Sequence, residues 1–344
     1  MPAIANIMIT IGIIMGTITT ISSHHWLLAW VGLEMNMLAI LPLISKPKTL
    51  RSTEATTKYF LTQAVASTLM LLASTTNAWQ TGNWDITQLN NKYSSTMMTI
   101  ALAMKMGAAP THFWLPEVMQ GSTLYIALLI TTWQKIAPIT LLYTISNHTP
   151  PMIMMTIGIL SIMVGGWGGI NQTQLRKMLA YSSINNIGWT ITTMAVYPNI
   201  AMLNIIIYIT MTTPAFLLLT STSTKTLQDI STTWTISPTT TYMFTMLMLS
   251  TSGLPPFTGF APKLMMLNEL VTQKLTALAL MMAMLSLISL LFYLRTTYLT
   301  MMLTPPMTTP SMTKWRYQHH QPKLTMMLTP MALLSILLIP AMPY

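Results

Sequence analysis

Long apolar segments alternate with short polar connections along the whole chain of 344 residues. A helix that crosses the hydrocarbon core of a bilayer needs about 20 apolar residues. Eleven segments reach or approach this length: Ala3–Ile21, His25–Ser45, Tyr59–Thr76, Ser95–Met119, Thr123–Ile145, Pro151–Ile170, Met178–Val196, Ile200–Ser221, Thr239–Val271, Leu275–Leu299 and Leu324–Met342. The pattern predicts an all-α polytopic membrane protein with about eleven transmembrane helices.

Glycine and proline interrupt two of these segments. Segment four contains MKMGAAPTHFWLPEVM, and segment nine contains TSGLPPFTGFAPKLM. Both follow the pattern G-x-x-P-x-x-x-aromatic-x-P-charge, in which Pro110 matches Pro256. Because proline removes a donor and clashes with the preceding turn, we expect helix to be lost near Gly107–Pro110 and Gly253–Pro256. Paired breaks of this kind are typical of a transport site, and the freed carbonyls should face protein or water.

Basic residues are concentrated in alternate connections. Connections after even-numbered segments carry ten, and those after odd-numbered segments carry only Lys92 and Lys274. The ten are Lys46, Lys48, Arg51, Lys58, Arg176, Lys177, Lys225, Lys314, Arg316 and Lys323. The positive-inside rule then predicts an inside N-terminus and an outside C-terminus. Segments four and nine would run in opposite directions, which predicts inverted-topology repeats; two unrelated proline kinks are the alternative.

The composition supports the membrane class. Charged residues make up 6% of the chain, against about 25% in a soluble domain. The net charge is +10, but the bases lie mostly in the connections, so membrane orientation explains them better than a nucleic-acid partner does. The absence of cysteine excludes disulfide frameworks, thiolate metal sites and iron–sulfur ligation, and we expect no metal site.

Four ionisable residues lie well inside the predicted segments, namely Glu34, Lys105, Lys135 and Lys263. Each costs at least about 2.5 kcal/mol at a helix centre, so such residues normally face a protein interior or water and mark an ion or proton path. A salt bridge between Glu34 and one lysine is the structural alternative, and it explains two of the four. Burial lowers the pKa of a lysine and a nearby carboxylate raises it, so a buried lysine can exchange protons when a carboxylate moves. His112, inside the first break, is a further candidate.

Other motifs favour structural roles. Glu117 and Arg295 lie near segment ends, where we expect them to snorkel. The glycines of Gly165–Gly169 lack the Gly-Lys-Ser/Thr of a phosphate loop, so close helix packing is expected there. No dinucleotide fingerprint opens a βαβ unit, which leaves the chain without a visible redox apparatus.

Five stretches carry a resemblance to a known family: WVGLEMNMLAILPL, EATTKYFLTQ, ALAMKMGAAPTHFWLPEVMQG, GGWGGINQTQLRKMLAYSSI and GLPPFTGFAPK. Together they resemble the antiporter-like membrane-arm subunits of mitochondrial respiratory complex I, the NADH:ubiquinone oxidoreductase. That family is similar to Mrp-type cation/proton antiporter subunits. The resemblance runs from about Gly16 to Arg295, and the last fifty residues match in hydropathy alone.

The resemblance implies a single antiporter-like transmembrane domain, residues 1–344. It would contain two inverted five-helix repeats, residues 1–145 and 150–300, and a C-terminal helix, 324–342. The chain would be a core subunit of complex I in the mitochondrial inner membrane and take part in proton translocation. Its N-terminus would lie in the matrix and its C-terminus in the intermembrane space.

Residue roles also follow from the resemblance. Glu34 and Lys105 look like the Glu–Lys pair of the family, Lys135 like its central lysine and Lys263 like its exit-side residue. Asn186 stands where the family commonly has histidine. An amide cannot relay a proton by titrating, so either water covers that step or the histidine was never essential.

The resemblance assigns the redox groups to other chains. NADH, flavin, iron–sulfur clusters and ubiquinone are expected in partner subunits, and no cofactor is expected here. The expected partners are other core and accessory membrane-arm subunits and membrane lipids, with cardiolipin as a candidate. Two alternatives from other classes are a stand-alone cation/proton antiporter and a structural spacer subunit of the complex.

Two geometric expectations complete the hypothesis. Glu34 and Lys105 should approach within roughly 4–7 Å, directly or through water, because an isolated carboxylate at the bilayer centre is too costly. Lys135 should lie between Lys105 and Lys263 along one internal polar line, without its own carboxylate.

Overall fold

The computed structural model describes residues 3–302 and 323–335, where the regular structure is helical and β-pairing is limited to isolated bridges. The helices are α1 Ala3–Ser22, α2 Trp26–Ser45, α3 Leu50–Thr81, α4 Lys92–Met106, α5 Trp114–Gly121, α6 Leu124–Thr131, α7 Trp133–Thr144, α8 Pro151–Ile170, α9 Leu175–Met194, α10 Pro198–Thr222, α11 Leu227–Ile236, α12 Pro238–Ser252, α13 Phe260–Thr272, α14 Thr276–Met301 and α15 Lys323–Leu334. The predicted all-α class is confirmed.

Six helical stretches of the described ranges are long and apolar enough to cross a bilayer. They are Ile4–Ser22, Trp26–Ser45, Leu124–Thr144, Pro151–Ile170, Pro198–Thr222 and Thr276–Met301. Each agrees within a few residues with a segment predicted from the sequence. The end of the predicted eleventh segment and most of the polar connection before it lie outside the described residues. Because six described stretches qualify as spans, the number eleven stays a prediction.

The helices turn apolar side chains outward. Ile4 and Met8 of α1 are 74% and 67% exposed, and Leu280 of α14 is 64% exposed. An outer surface of this kind fits lipid or a neighbouring subunit, since a water-soluble chain would place such side chains inside. The observed burial therefore supports the membrane class that the composition predicts.

Hydroxyl side chains are satisfied within their own helices. Thr131 Oγ1 donates to the carbonyl of Ala127 at 3.0 Å, and Thr212 Oγ1 donates to the carbonyl of Tyr208 at 2.9 Å. Such bonds need no water, so apolar helices can carry the many threonines of this sequence.

The described fold separates into two compact units. The first contains residues 1–161 and 187–198, and the second contains residues 162–186 and 199–344. In the first unit, α1 packs on α2, α2 on α3, α3 on α4 and α5, and α7 on α4. In the second unit, α11, α12 and α13 pack on α14, and α12 also packs on α15.

Capping residues explain two helices that hydropathy did not define. Helix α3 begins at Leu50 rather than at Tyr59, because Thr49 and Ser52 form a capping box before the apolar segment. Helix α11 occupies a stretch predicted as a polar connection, and it starts at a capping box of Thr226 and Asp229. Caps start a helix whatever the hydrophobicity of the residues that follow.

The glycines at the end of α8 allow close helix packing in the second unit, as predicted. A Cβ atom on Gly168 would lie 2.3 Å from Cε1 of Tyr181, and one on Gly165 would lie 2.7 Å from the main-chain nitrogen of Asn185. No larger residue fits at either position without a shift of its neighbour.

Candidate functional site

The first break separates α4 from α5. Helix α4 ends at Met106, and Gly107 adopts a left-handed conformation with a φ of +81°. The Gly107 amide donates to the carbonyl of Met104 at 3.1 Å, and the indole Nε1 of Trp114 donates to the same oxygen at 3.3 Å. The predicted loss of helix near Gly107–Pro110 is confirmed, and protein groups satisfy this carbonyl at the helix end.

Helix α3 contacts the chain on both sides of the first break. Gln63 Nε2 donates to the main-chain carbonyl of Lys105, on α4, at 3.4 Å. The ring of Tyr59 meets the ring of Trp114, on α5, edge-on with the centroids 5.6 Å apart. Helix α3 thus contacts both α4 and α5 and links them, although the chain between these two helices is not helical.

The two charges expected to snorkel are exposed and also have protein partners. The ammonium group of Lys58, on α3, forms ion pairs with Glu54 and with Glu117 of α5. Arg295 Nη1 donates to the carbonyl of Ile170 at 2.8 Å. The pair between Lys58 and Glu117 adds a third contact between α3 and the segment that contains the break.

Lys105 and Lys135 meet at one cavity. Lys105 lies in the last turn of α4 and Lys135 in the first turn of α7, and their exposed fractions are 7% and 4%. Both line a cavity of about 20 Å³ together with the polar side chains of Tyr59, Gln63 and Gln134. A cavity of this volume is large enough for one water molecule. The first unit therefore places two of the sequence-predicted lysines at a common space.

Glu34 lies half-buried on α2. Its carboxylate interacts electrostatically with Lys105 and with Tyr59. No ion pair within 4.0 Å joins Glu34 to Lys105, both of which belong to the described residues. Direct contact between the two is therefore absent, and a water-bridged approach stays a prediction.

His112 is buried in the first break, with 6% of its surface exposed. Its Nδ1 lies 3.2 Å from the carbonyl oxygen of Pro110, and its ring packs against the ring of Phe113 at 4.1 Å. The residues found to line the cavity of Lys105 and Lys135 do not include it. A role for His112 in a proton path remains a prediction.

The second break separates α12 from α13 in the second unit. Helix α12 ends at Ser252, and Gly253 has a φ of +84°. Lys263, on α13, is 9% exposed and its Nζ donates to the carbonyl of Ser252 at 2.7 Å. Ser250 and Thr258 face each other across the break with their hydroxyl oxygens 2.9 Å apart. The predicted loss of helix near Pro256 is confirmed.

Asn186 is buried in α9, and its Nδ2 donates to the carbonyl of Ser182, one turn earlier, at 3.0 Å. The amide is thus engaged with its own helix. Lys263 belongs to the second unit and Lys105 and Lys135 to the first, so the single polar line predicted through all three stays a prediction.

Three polar side chains of the cavity were not predicted from the sequence, namely Tyr59, Gln63 and Gln134. None of them is charged at neutral pH, so none stands out in a search for charges within apolar segments. A signal was present, because Gln134 immediately precedes Lys135 and lies four residues before Pro138. A proline at that spacing removes the helix donor to the earlier carbonyl.

Two family models cover almost the whole chain. Residues 23–289 match the family described as NADH:quinone oxidoreductase/Mrp antiporter, TM, and residues 290–344 match the NADH dehydrogenase subunit 2 C-terminus. The last fifty residues, for which the motifs gave only a match in hydropathy, therefore carry a specific similarity of their own.

The chain is also similar to individual proteins. It is 50% identical to NADH-ubiquinone oxidoreductase chain 2 of Varanus timorensis, over 100% of this chain and 99% of the relative. It is 47% identical to the protein of the same name from Xenopus laevis, over 94% of this chain and 93% of the relative.

Solved structures share the fold. A chain of respiratory complex I from Thermus thermophilus with bound Aureothin superposes with a TM-score of 0.85 and 25% identity, covering 98% of this chain and 79% of that chain. A chain of the Mrp complex from Dietzia sp. DQ12-45-1b superposes with a TM-score of 0.78 and 18% identity, covering 88% and 60%. The sequence matches together show that the chain belongs to the NADH-ubiquinone oxidoreductase chain 2 family.

Proposed function

We propose that the chain is a core membrane-arm subunit of respiratory complex I and takes part in proton translocation across the mitochondrial inner membrane. Family membership and the fold shared with a chain of bacterial complex I support this assignment. The chain would act as part of an enzyme, the proton-translocating NADH:ubiquinone reductase. The redox groups would belong to partner subunits, which include the other membrane-arm chains.

The observation that carries the proposal is the shared cavity of Lys105 and Lys135. Each lysine costs at least about 2.5 kcal/mol at the centre of a membrane helix, so two of them at one cavity need a functional reason. A lysine can hold a proton as an ammonium group and release it as a neutral amine. Two such groups at a space large enough for water form the elements of a proton relay.

The proposed route begins at Glu34 and Lys105 on the matrix side, continues to Lys135 and leaves through Lys263. The broken helices support it, since they free main-chain groups and admit polar side chains inside a bilayer. Moving one charge across the membrane costs about 2.3 kcal/mol per 100 mV, so several carriers would divide this work into steps. His112 is a candidate for the entry side of the route.

The proposed architecture is a set of eleven membrane-crossing segments in two inverted repeats, residues 1–145 and 150–300, followed by a C-terminal segment, 324–342. The matching glycine and proline positions of the two breaks support the repeats. The distribution of basic residues supports an N-terminus in the matrix and a C-terminus in the intermembrane space. The apolar outer faces would contact lipid, with cardiolipin as a candidate, and neighbouring subunits.

Substitution of Lys135 by Met tests the function. Methionine has a similar length and is easier to bury, so the complex should assemble, while proton transport and coupled NADH oxidation should both fall by at least about tenfold. The measurement is proton translocation and turnover of the reconstituted complex. The matched control is Lys225→Met, because Lys225 is exposed between α10 and α11.

Two other outcomes would select the alternatives. Unchanged proton transport and turnover in the Lys135→Met complex would favour a structural spacer, in which the buried lysines carry no protons. Cation/proton exchange by the purified chain without its partners would instead favour a stand-alone antiporter. The same reconstituted vesicles serve both measurements.

A further inference from the structure

Gln134 presents an unsatisfied amide at the cavity of the two lysines. It lies in the first turn of α7, directly before Lys135, and lines the same cavity. Its Nε2 atom is buried, and no described residue accepts a hydrogen bond from it. Buried amide donors in folded proteins are almost always paired with protein or ordered water, so this atom requires a partner.

The main chain at Gln134 is also open to a further partner. Pro138, four residues later in α7, has no N–H group, so the carbonyl of Gln134 lacks the donor that a regular helix would supply. The helix itself restarts just before Gln134, because Thr132 interrupts α6 and α7 with a ψ of −73°. The proline therefore leaves a main-chain carbonyl without its helical donor at a residue that lines the cavity, and Pro138 lines the same cavity.

We propose that Gln134 holds a water molecule that connects Lys105 to Lys135. The cavity volume of about 20 Å³ is sufficient for one water, which needs two to four polar partners. Gln63 supplies one of them, because its Nε2 is engaged with the carbonyl of Lys105 and its Oε1 remains to accept a hydrogen bond. Lys105, Lys135 and the Gln134 amide supply the others.

This arrangement fixes the orientation of the water. Its oxygen accepts hydrogen bonds from the Gln134 amide and the Lys105 ammonium group, and its two hydrogens point to Gln63 Oε1 and the Lys135 amine. A proton leaves the nitrogen of Lys105 for the water oxygen while another leaves the water for the nitrogen of Lys135. Lys105 ends neutral, Lys135 ends charged, and the water is regenerated. Gln134 is a positioning residue, and the inference rests on the proposed function.

The first test needs no variant. A density map of the assembled complex that resolves ordered water should show one peak in this cavity, about 2.7–3.2 Å from Nε2 of Gln134. A map of that quality without such a peak would overturn the proposal.

The second test replaces Gln134 by Met, which has a similar length and no hydrogen-bonding group. Loss of one anchoring hydrogen bond should reduce coupled turnover and proton transport per assembled complex by about tenfold. The map of the variant should lose the water peak and keep both lysines in place, which a general packing defect would not produce. Gln134→Asn, which retains an amide, should recover part of the rate, and Gln228→Met at an exposed position of α11 should have no effect.

The outcomes separate the two proposals. Normal pumping in the Gln134→Met complex, with pumping lost in the Lys135→Met complex, would refute the water site and leave the proposed function intact. Normal pumping in both would refute the proposed function as well. If the Gln134→Met complex does not assemble, the map of the unmodified complex and the rate of the Gln134→Asn complex decide the question.

Discussion

The two helix breaks share a backbone conformation. They differ in the closing group, by which we mean the side chain that donates a hydrogen bond to a carbonyl at the end of the preceding helix. Gly107 and Gly253 end their helices with left-handed φ angles of +81° and +84°. In the first unit a neutral indole N–H, from Trp114, reaches back to the end of the preceding helix. In the second unit the ammonium group of Lys263 reaches back to the carbonyl of Ser252.

The difference follows from the residue that comes after the second proline of the pattern. Glu117 occupies this position in the first break and Lys263 in the second. A carboxylate cannot donate a hydrogen bond to a carbonyl, so Glu117 pairs with Lys58 instead and the indole of Trp114 closes the break. The glycine and proline pattern thus determines the backbone conformation of both breaks. The residue after the second proline determines whether a charged group lies at the end of the preceding helix.

The largest effect should come from replacing Lys263 by a residue that cannot donate a hydrogen bond, with the same kind of change at Trp114 as the comparison. Lys263→Met should reduce coupled turnover by at least about tenfold, because it removes a proposed proton carrier as well as the bond to Ser252. Trp114→Phe removes a neutral hydrogen bond and part of the ring that packs on Tyr59, but no charge, and should leave turnover within about twofold. Turnover per assembled complex is the measurement. Equal losses in the two variants would mean that both closing groups act only on structure.

A smaller effect is expected from alanine at the two glycines. A left-handed alanine costs about 1–2 kcal/mol, and the new Cβ would lie 2.8 Å from Leu115 Cδ1 at Gly107 and 2.9 Å from Lys263 Cδ at Gly253. Both variants should lower the thermal stability of the complex, and Gly253→Ala should also slow turnover by displacing Lys263.

The control for the glycine variants is Gly82→Ala. Gly82 has a φ of +73°, and no atom lies within 4 Å of the Cβ that alanine would add. This variant carries the cost of the left-handed backbone without the clash. If it lowers thermal stability as much as the other two variants do, the close contacts at the breaks contribute nothing measurable.

The smallest effect should come from the ion pair between Lys58 and Glu117. Both side chains are partly exposed, so water and salt screen their attraction. The variants Lys58→Met and Glu117→Gln, alone and combined, should keep turnover within about twofold of the unmodified complex. The coupling free energy between the two residues, from the double-mutant cycle, should fall as salt is added. A large coupling that is insensitive to salt would show that the pair is shielded by a neighbouring subunit.

Local signals made the breaks predictable from the sequence. Glycine and proline act on the residues beside them, so the end of α4 and the end of α12 could be placed without knowledge of the packing. The fold class and most helix ends followed from hydropathy for the same reason. Helices α3 and α11 were the exceptions, because their starts depend on the capping boxes at Thr49 and Thr226.

The composition of the cavity followed only in part from the sequence. Lys105 and Lys135 were recognised as buried charges, but they lie on α4 and α7, and their common cavity depends on how these helices pack. Gln134 and Gln63 carry no charge, so hydropathy gave no reason to select them. The pairing of Glu117 with Lys58 was missed because it joins residues far apart in the chain.

The hydrogen bond from Lys263 to the carbonyl of Ser252 gives a buried ammonium group a negative partner that is not a carboxylate. The chain has sixteen Lys+Arg and six Asp+Glu, so carboxylates cannot neutralise every buried lysine. The end of α12 supplies a substitute, because the aligned peptide dipoles of a helix place about half a negative charge at its C-terminus. A carbonyl cannot gain or lose a proton at any physiological pH. Lys263 therefore has a counter-charge that stays constant while carboxylates and amines elsewhere in the membrane change their state.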